Sequence, residues 1–382
     1  GKERGKIRRL AAAMSDLYIV DQPALTDFCA GLRDATWLAL DTEFIREQTF
    51  YPQLCLIQIA VPGQVACIDP LALPSLDPLL DLLYNPAIIK VLHAAHQDLE
   101  LFFHLRDAVP APIFDTQLAA TVLGSGSQIG YAALVQQRLG VTLAKAHTRA
   151  NWRRRPLASE WLVYAADDVR YLGEIYHRQL AVLRERGWLE ALTEDFQALT
   201  DPNRYRLQPE NAWQRVREHQ RLGGMQRAVL QALAAWREEQ ASKHDRPRRW
   251  ILDDAALLEL VRQMPATPEQ LNSIRELPPA TRQRHGEALL ARIAAARAAP
   301  PERWPTQLRQ PRLSPQQAAR VDGLLKLIES RASQYGISPS EIAGRRDVER
   351  LLSGEDSRLL HGWRAILVGR ELLGRLPFDS DA

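Results

Sequence analysis

The chain has 382 residues, 46% hydrophobic and 25% charged, a globular composition with room for two or three domains. No apolar run approaches the ~18 residues that a membrane span needs, so a membrane protein of the helical kind is excluded. The net charge of +3 is unevenly spread: residues 1–200 hold 19 Lys and Arg against 23 Asp and Glu, and residues 201–382 hold 30 against 23. An acidic front half and a basic back half point to carboxylate chemistry in front and polyanion contact behind. The competing reading is that the Arg richness is compositional, since Lys is scarce throughout.

Residues 1–13 (GKERGKIRRLAAA) are basic and then small. Their apolar part is too short for a secretory leader, and they read as a disordered extension ahead of Met14. Leu17–Val20 reads as a strand, Ala24–Leu32 as a helix and Trp37–Asp41 as a strand. Leu54–Ala60 and Val65–Ile68 read as strands paired across the Pro62-Gly63 turn. Next come a helix over Leu76–Tyr84, a strand over Ile88–Leu92 and a helix over His96–Leu105. Helices then dominate: Thr116–Leu123, Tyr131–Leu139 and one long helix from Ser159 to about Arg186. This predicts an α/β domain with a mixed sheet. Cys29, Cys55 and Cys67 form no close pair and offer no zinc framework; they fit reduced thiols in a cytoplasm.

Residues 200–210 (TDPNRYRLQPE) break the pattern, and no strand signal follows them. A second Pro-rich break at 297–315 separates two helical segments that read as an internal repeat, each with a long helix ending in Ala-Ser followed by a polar loop containing Pro. The expected organisation is a nuclease-sized domain over 14–206, a helical bundle over 207–298, a linker over 299–311 and a second bundle over 312–378.

Three acidic signals stand out in the front half. Asp41 and Glu43 end the apolar strand WLAL, two residues apart and therefore on one face. Like charges that close raise each other's pKa unless a cation lies between them, and hard divalent cations take oxygen ligands. Asp98 falls near the start of a helix that follows a strand, where the helix dipole alone would favour it. Tyr164 and Asp168 are i and i+4 on a late helix and share one of its faces, with the small Ala165 and Ala166 between them; Asp167 points elsewhere. His93 and His96 read as hydrogen-bonded structural residues.

Each signal alone has an ordinary structural explanation, but their order is specific. The chain resembles the DEDD exonucleases of the subgroup with a tyrosine in the third motif, most closely the ribonuclease D family. The stretches LALDTEF, LHAAHQDLE, IFDTQLAA, RANWRRRPL and YAADDVRYL carry the resemblance, and the tandem repeats resemble the helicase-and-RNase-D C-terminal domains. Ala94 departs from the Asn common in the wider superfamily. The resemblance implies a ribonuclease H-like nuclease fold followed by two all-α bundles. It also implies two divalent ions, Mg²⁺ or Mn²⁺, held by Asp41, Glu43, Asp98 and Asp168. Asp41 would bridge the ions, Glu43 and Asp168 would complete the site for the attacking water, Asp98 would support the second ion and Tyr164 would orient the water. The implied reaction is 3′→5′ hydrolytic release of 5′-mononucleotides from RNA, notably tRNA precursors, by a cytoplasmic monomer with no obligate protein partner and no membrane. A DNA exonuclease of the same superfamily and a non-catalytic adaptor for RNA 3′ ends are the alternatives.

Phosphate contact is expected from Lys145, Arg149, Arg153, Arg154 and Arg155, with Trp152 among them as a base-stacking platform. In the helical half, Lys243, Arg246, Arg248 and Arg249 form the strongest basic stretch.

Overall fold

A computed structural model describes residues 15–144, 150–306 and 313–376. The expected extension over 1–13 and part of the expected linker lie outside them. The chain folds into two compact units: one takes the described residues up to Ile45, Leu54–Tyr205 and the described residues from Leu313 on; the other takes Arg46–Gln53 and those from Arg206 to 306.

The first unit is built on a six-stranded sheet. Its strands are β1 (Ser15–Ile19), β2 (Trp37–Ile45), β3 (Gln53–Val61), β4 (Gln64–Ile68), β5 (Ile89–Leu92) and β6 (Ile113–Asp115), in the order β1-β4-β3-β2-β5-β6. β3 and β4 are antiparallel across the turn at Gly63, whose φ of 78° suits a residue without Cβ. β1 with β4, β2 with β5, and β5 with β6 are parallel, so the sheet is mixed, as the alternating pattern predicts. The apolar runs fill the core: Leu38, Ala39 and Leu40 of β2 and Leu56, Ile57 and Ile59 of β3 are fully buried.

β2 runs on to Ile45, four residues past the predicted end at Asp41. Pairing with β5 covers only Trp37–Ala39, so beyond the apolar pattern the strand continues along its other neighbour, β3. Asp41 and Glu43 therefore stand on a strand and not in a turn.

Helices cover the sheet. The site uses α1 (His96–Arg106) after β5, α2 (Thr116–Val122) after β6, α3 (Tyr131–Leu139) and α4 (Ser159–Arg170), which packs against β2 and β4. The single long helix expected from Ser159 is divided: α4 stops at Arg170, and α5 runs over Leu172–Glu185.

Residues 313–376 belong to this same unit. Val321, Ile328, Trp363 and Leu372 share a hydrophobic core with the strands, and the Trp363 amide donates to Asp195 at 2.9 Å. The second unit has its own core around α6 (Gly224–Lys243), including Val229, Leu233 and Trp236. The helical repeat read from sequence appears as matching order. A helix of 20 or 21 residues (Gly224–Lys243; Pro315–Tyr335) is followed by a four-residue helix (Arg248–Ile251; Pro339–Ile342) and a further helix (Asp254–Gln263; Arg345–Leu352). Within the second unit, segment 46–53 is pinned by Asp245, which accepts from the Phe50 and Tyr51 amides at 3.0 Å each.

Candidate active site

The D-x-E strand, the helix after β5 and the late helix bring their acids together. Oxygens of Asp41, Glu43 and Asp168 all lie within 4.8 Å of one another. Asp98 stands just outside that trio, 6% exposed, in the first turn of α1, and its charge acts on both Asp41 and Glu43. The Thr42 hydroxyl, between the two strand carboxylates, donates to Asp98. Thr42 was not singled out in the sequence, because a strand residue facing away from its neighbours gives no local sign of a partner 56 positions on.

Electrostatics follow from burial. Asp41 is pushed well above the usual carboxylate range, first by burial and then by Asp98, Asp168 and Glu43. Burial, then Asp168 and Asp98, lift Glu43 to about 8. Burial lifts Asp98 and Asp168 to about 7 each, against hydrogen bonds from Thr42 and Tyr164 respectively that favour their charged forms. Such a cluster is short of positive charge, and its donors are all oxygen. That set fits a hard divalent cation and not zinc.

Tyr164 hydrogen-bonds Asp168 across one helical turn, as the i, i+4 spacing requires. Burial first, and then Asp168, Glu43 and Asp41, raise its phenol well above 10, so the proton stays on oxygen. Trp152 lies behind it: the rings stack with centroids 6.2 Å apart at 27°. Trp152 is 2% exposed and tilts against Trp161, so the expected base-stacking platform is instead a wall for Tyr164. Its ring finds apolar neighbours in the core, and burial wins over exposure to substrate.

The basic expectations divide. Lys145 and Arg149 lie outside the described residues. Arg153 and Arg154 are exposed. Arg155 is committed elsewhere, bound to the buried Asp69 through Nε at 2.7 Å and a terminal nitrogen at 2.8 Å; it is a structural clasp and not a phosphate contact. Arg248 is similarly taken, forked onto the buried Glu238 at 2.5 Å twice and lying 4.6 Å over the Phe50 ring. Lys243, Arg246 and Arg249 are exposed, with Arg246 over Trp250 at 5.9 Å.

His93 is structural, as expected: its ring nitrogens bond the Thr116 hydroxyl and the Ile129 carbonyl, each at 2.8 Å. His96 packs its ring on Tyr205. A second residue the sequence reading missed is Asp115. It caps α2 by accepting from the Gln117 and Leu118 amides, and it also accepts from the amides of Ala94 and Ala95 at 3.1 and 2.9 Å. It thereby holds the turn that delivers Asp98, with Ala94 at a φ of 58°. The D-T pair opening a helical run was a capping signal that could have flagged it.

Residues 18–183 match the family described as 3′-5′ exonuclease, and residues 226–293 match the HRDC domain. The fold and carboxylate site thus define a metal-dependent 3′→5′ exonuclease with a helical C-terminal region. Curated ribonuclease D proteins extend the match to nearly the whole chain. That of Sphingobium indicum is 39% identical over 94% of this chain and 95% of its own length. That of Pseudomonas paraeruginosa is 37% identical over 94% and 97%. The crystal structure of Escherichia coli RNase D, described as an exoribonuclease involved in structured RNA processing, superposes with a TM-score of 0.82 at 31% identity, covering 94% of this chain and 98% of that one. The chain belongs to the ribonuclease D family, and it is a 3′→5′ exoribonuclease, which favours the RNA reading over the DNA nuclease and the inert adaptor.

Proposed function

We propose that the protein trims 3′ trailer nucleotides from tRNA precursors and other structured RNAs, one 5′-mononucleotide at a time, using two Mg²⁺ or Mn²⁺ ions. The observation that carries this reading is the all-oxygen trio of Asp41, Glu43 and Asp168, with Asp98 adjoining it. Bound ions would supply Lewis-acid stabilisation of the attacking and leaving oxygens of an in-line displacement.

The remaining work falls to the chain. Asp41 interacts with the three other acids and would be the residue shared between two ions. Glu43 and Asp168, the latter hydrogen-bonded by Tyr164, would complete the set that holds the ion activating the attacking water. Asp98, oriented by the Thr42 hydroxyl, would support a second ion. Tyr164, hydrogen-bonded to Asp168, would orient the attacking water. Exposed Arg153 and Arg154 lie just ahead of the helix bearing Tyr164 and Asp168, where they suit the phosphates of the 3′ end. Exposed Lys243, Arg246 and Arg249 suit the body of a structured RNA. The E. coli relative's involvement in structured RNA supports that substrate class. Residues 14–206 serve as the exonuclease domain, 207–298 and 312–378 as two helical repeats on either side of the 299–311 linker, in a monomer working in the cytoplasm.

The test is to incubate a tRNA carrying a 3′ tail, and a DNA strand of the same tail sequence, with Mg²⁺ and to resolve the products at single nucleotides. Stepwise shortening of the tail with release of 5′-monophosphates, faster on RNA, is expected. Internal cuts, or equal action on DNA, would overturn the proposal.

A further inference from the structure

An α-helix closes each N–H onto the C=O four residues back. Asp167 and Tyr171 are such a pair. The Tyr131 hydroxyl donates to the Asp167 carbonyl at 2.6 Å and accepts from the Tyr171 amide at 3.3 Å. One phenol thus stands between two groups that would otherwise bond to each other. A side chain inserted into the helical ladder is a known cause of a break, and the break falls here, between Arg170 and Leu172. No Pro or Gly accounts for it: the first Gly is Gly173, beyond the break.

Asp167 is the residue immediately before Asp168. The inserted hydroxyl therefore acts on the last turn of α4, the turn that carries one member of the carboxylate trio and, one turn earlier, Tyr164. Tyr131 is itself firmly held. It opens α3, its ring lies 5.8 Å from that of His93, and His93 is tied to Thr116 and to the Ile129 carbonyl, which also accepts from Gln117. Burial raises the phenol far above its ordinary range, so the oxygen retains the hydrogen it donates.

We infer that Tyr131 is a positioning residue: by wedging its hydroxyl into the ladder between Asp167 and Tyr171 it ends α4 early and sets where Asp168 and Tyr164 stand against β2. This rests on the proposed role of that site. A continuous helix from Ser159 onward would keep Tyr164 and Asp168 on one face but would carry them along a different axis.

Tyr131→Phe keeps the ring and removes only the hydroxyl. The Asp167 carbonyl and Tyr171 amide can then bond directly, so the helix can close and fold stability should change little. Ion binding should change more. We expect Mn²⁺ affinity, titrated calorimetrically without RNA, to fall at least about threefold, and kcat on a short single-stranded RNA to fall roughly tenfold, with KM nearly unchanged. Unchanged Mn²⁺ affinity in the Phe variant overturns the inference, as does an affinity loss that merely tracks a lowered thermal midpoint. If the wild-type protein binds Mn²⁺ but releases no nucleotide, the nuclease reading fails while the Mn²⁺ comparison still judges Tyr131.

Discussion

Arg155 separates a fold-holding arginine from an RNA-holding one. Its guanidinium makes five hydrogen bonds: two to Asp69 at 2.7 and 2.8 Å, and one each to the carbonyls of Cys55, Trp152 and Arg154 at 2.8, 2.6 and 2.9 Å. It thereby ties the segment that carries Trp152, the wall behind Tyr164, to β3 and to the residue after β4. The Asp69 side chain is only 3% exposed. Burial pushes its carboxyl up, but the Arg155 pair outweighs that and holds it below the usual range. Removing one partner of a buried ion pair costs about 3–5 kcal/mol. Asp69 keeps the Tyr18 hydroxyl at 3.0 Å and the Leu71 amide at 2.9 Å, so the lower end applies to Arg155→Ala. For a unit of this size that is a drop of roughly 6–12 °C in the thermal midpoint. Arg155→Lys should lose less, about 2–6 °C, because an ammonium keeps the charge without the fork. Because the folded pKa of Asp69 is depressed, the stabilisation is present above its unfolded value of about 4 and is lost as pH falls through the folded one. The gap between wild type and Ala variant should therefore hold from neutrality down to about pH 4 and close below it. The assay is thermal unfolding against pH, paired with RNA affinity against salt. A midpoint within 1 °C of wild type, together with a salt slope reduced by about one, would show that Arg155 neutralises a phosphate and that the structural assignment is wrong.

Asp41→Asn should reduce turnover by at least about a thousandfold with the fold intact, whereas Tyr164→Phe should retain activity and lose about ten- to a hundredfold; equal loss in single-turnover assays would contradict a merely orienting phenol. In EDTA the raised pKa values of Glu43 (about 8) and of Asp98 and Asp168 (about 7) mean that the folded protein binds protons the unfolded chain has already released. Their stabilisation is complete below their unfolded values and is lost as pH rises through 7 to 8, so the metal-free midpoint should fall by several degrees between pH 5 and pH 8. Saturating Mg²⁺ should restore more stability at pH 8 than at pH 6, and a flat profile in EDTA would refute the buried-cluster electrostatics. Reversing the exposed Lys243 and Arg249 to Glu should weaken tRNA binding and lower its salt slope by about two or more, while leaving hydrolysis of a short oligonucleotide unchanged; an unchanged slope would remove this stretch from the RNA path.

The clustered acids were legible because their spacing is local. Two residues apart on a strand, or four apart on a helix, fixes a shared face whatever the rest of the chain does. The order of Asp41 and Glu43, then Asp98, then Tyr164 and Asp168 consequently predicted which side chains would gather, and the family. Where β2 ends was not legible, because its pairing with β5 covers Trp37–Ala39 and the strand runs on beyond the apolar pattern along β3. The basic residues were the least readable. Charge and exposure look the same in sequence for Arg154 and Arg155, yet one is exposed while the other clasps a carboxylate 86 positions away. Trp152 could face a base or the core, and only the packing against Trp161 and Tyr164 decided it. The helix break after Arg170 has the same origin: the residues around it favour helix, and it takes a hydroxyl 40 positions distant to open the ladder. Nor does the repeat in the back half reveal that residues 313–376 share a core with the sheet while their counterparts build their own. Local sequence sets which side chains share a face. Which partner a long polar or aromatic side chain meets is set by chain segments far away in sequence, and only the tertiary fold brings those together.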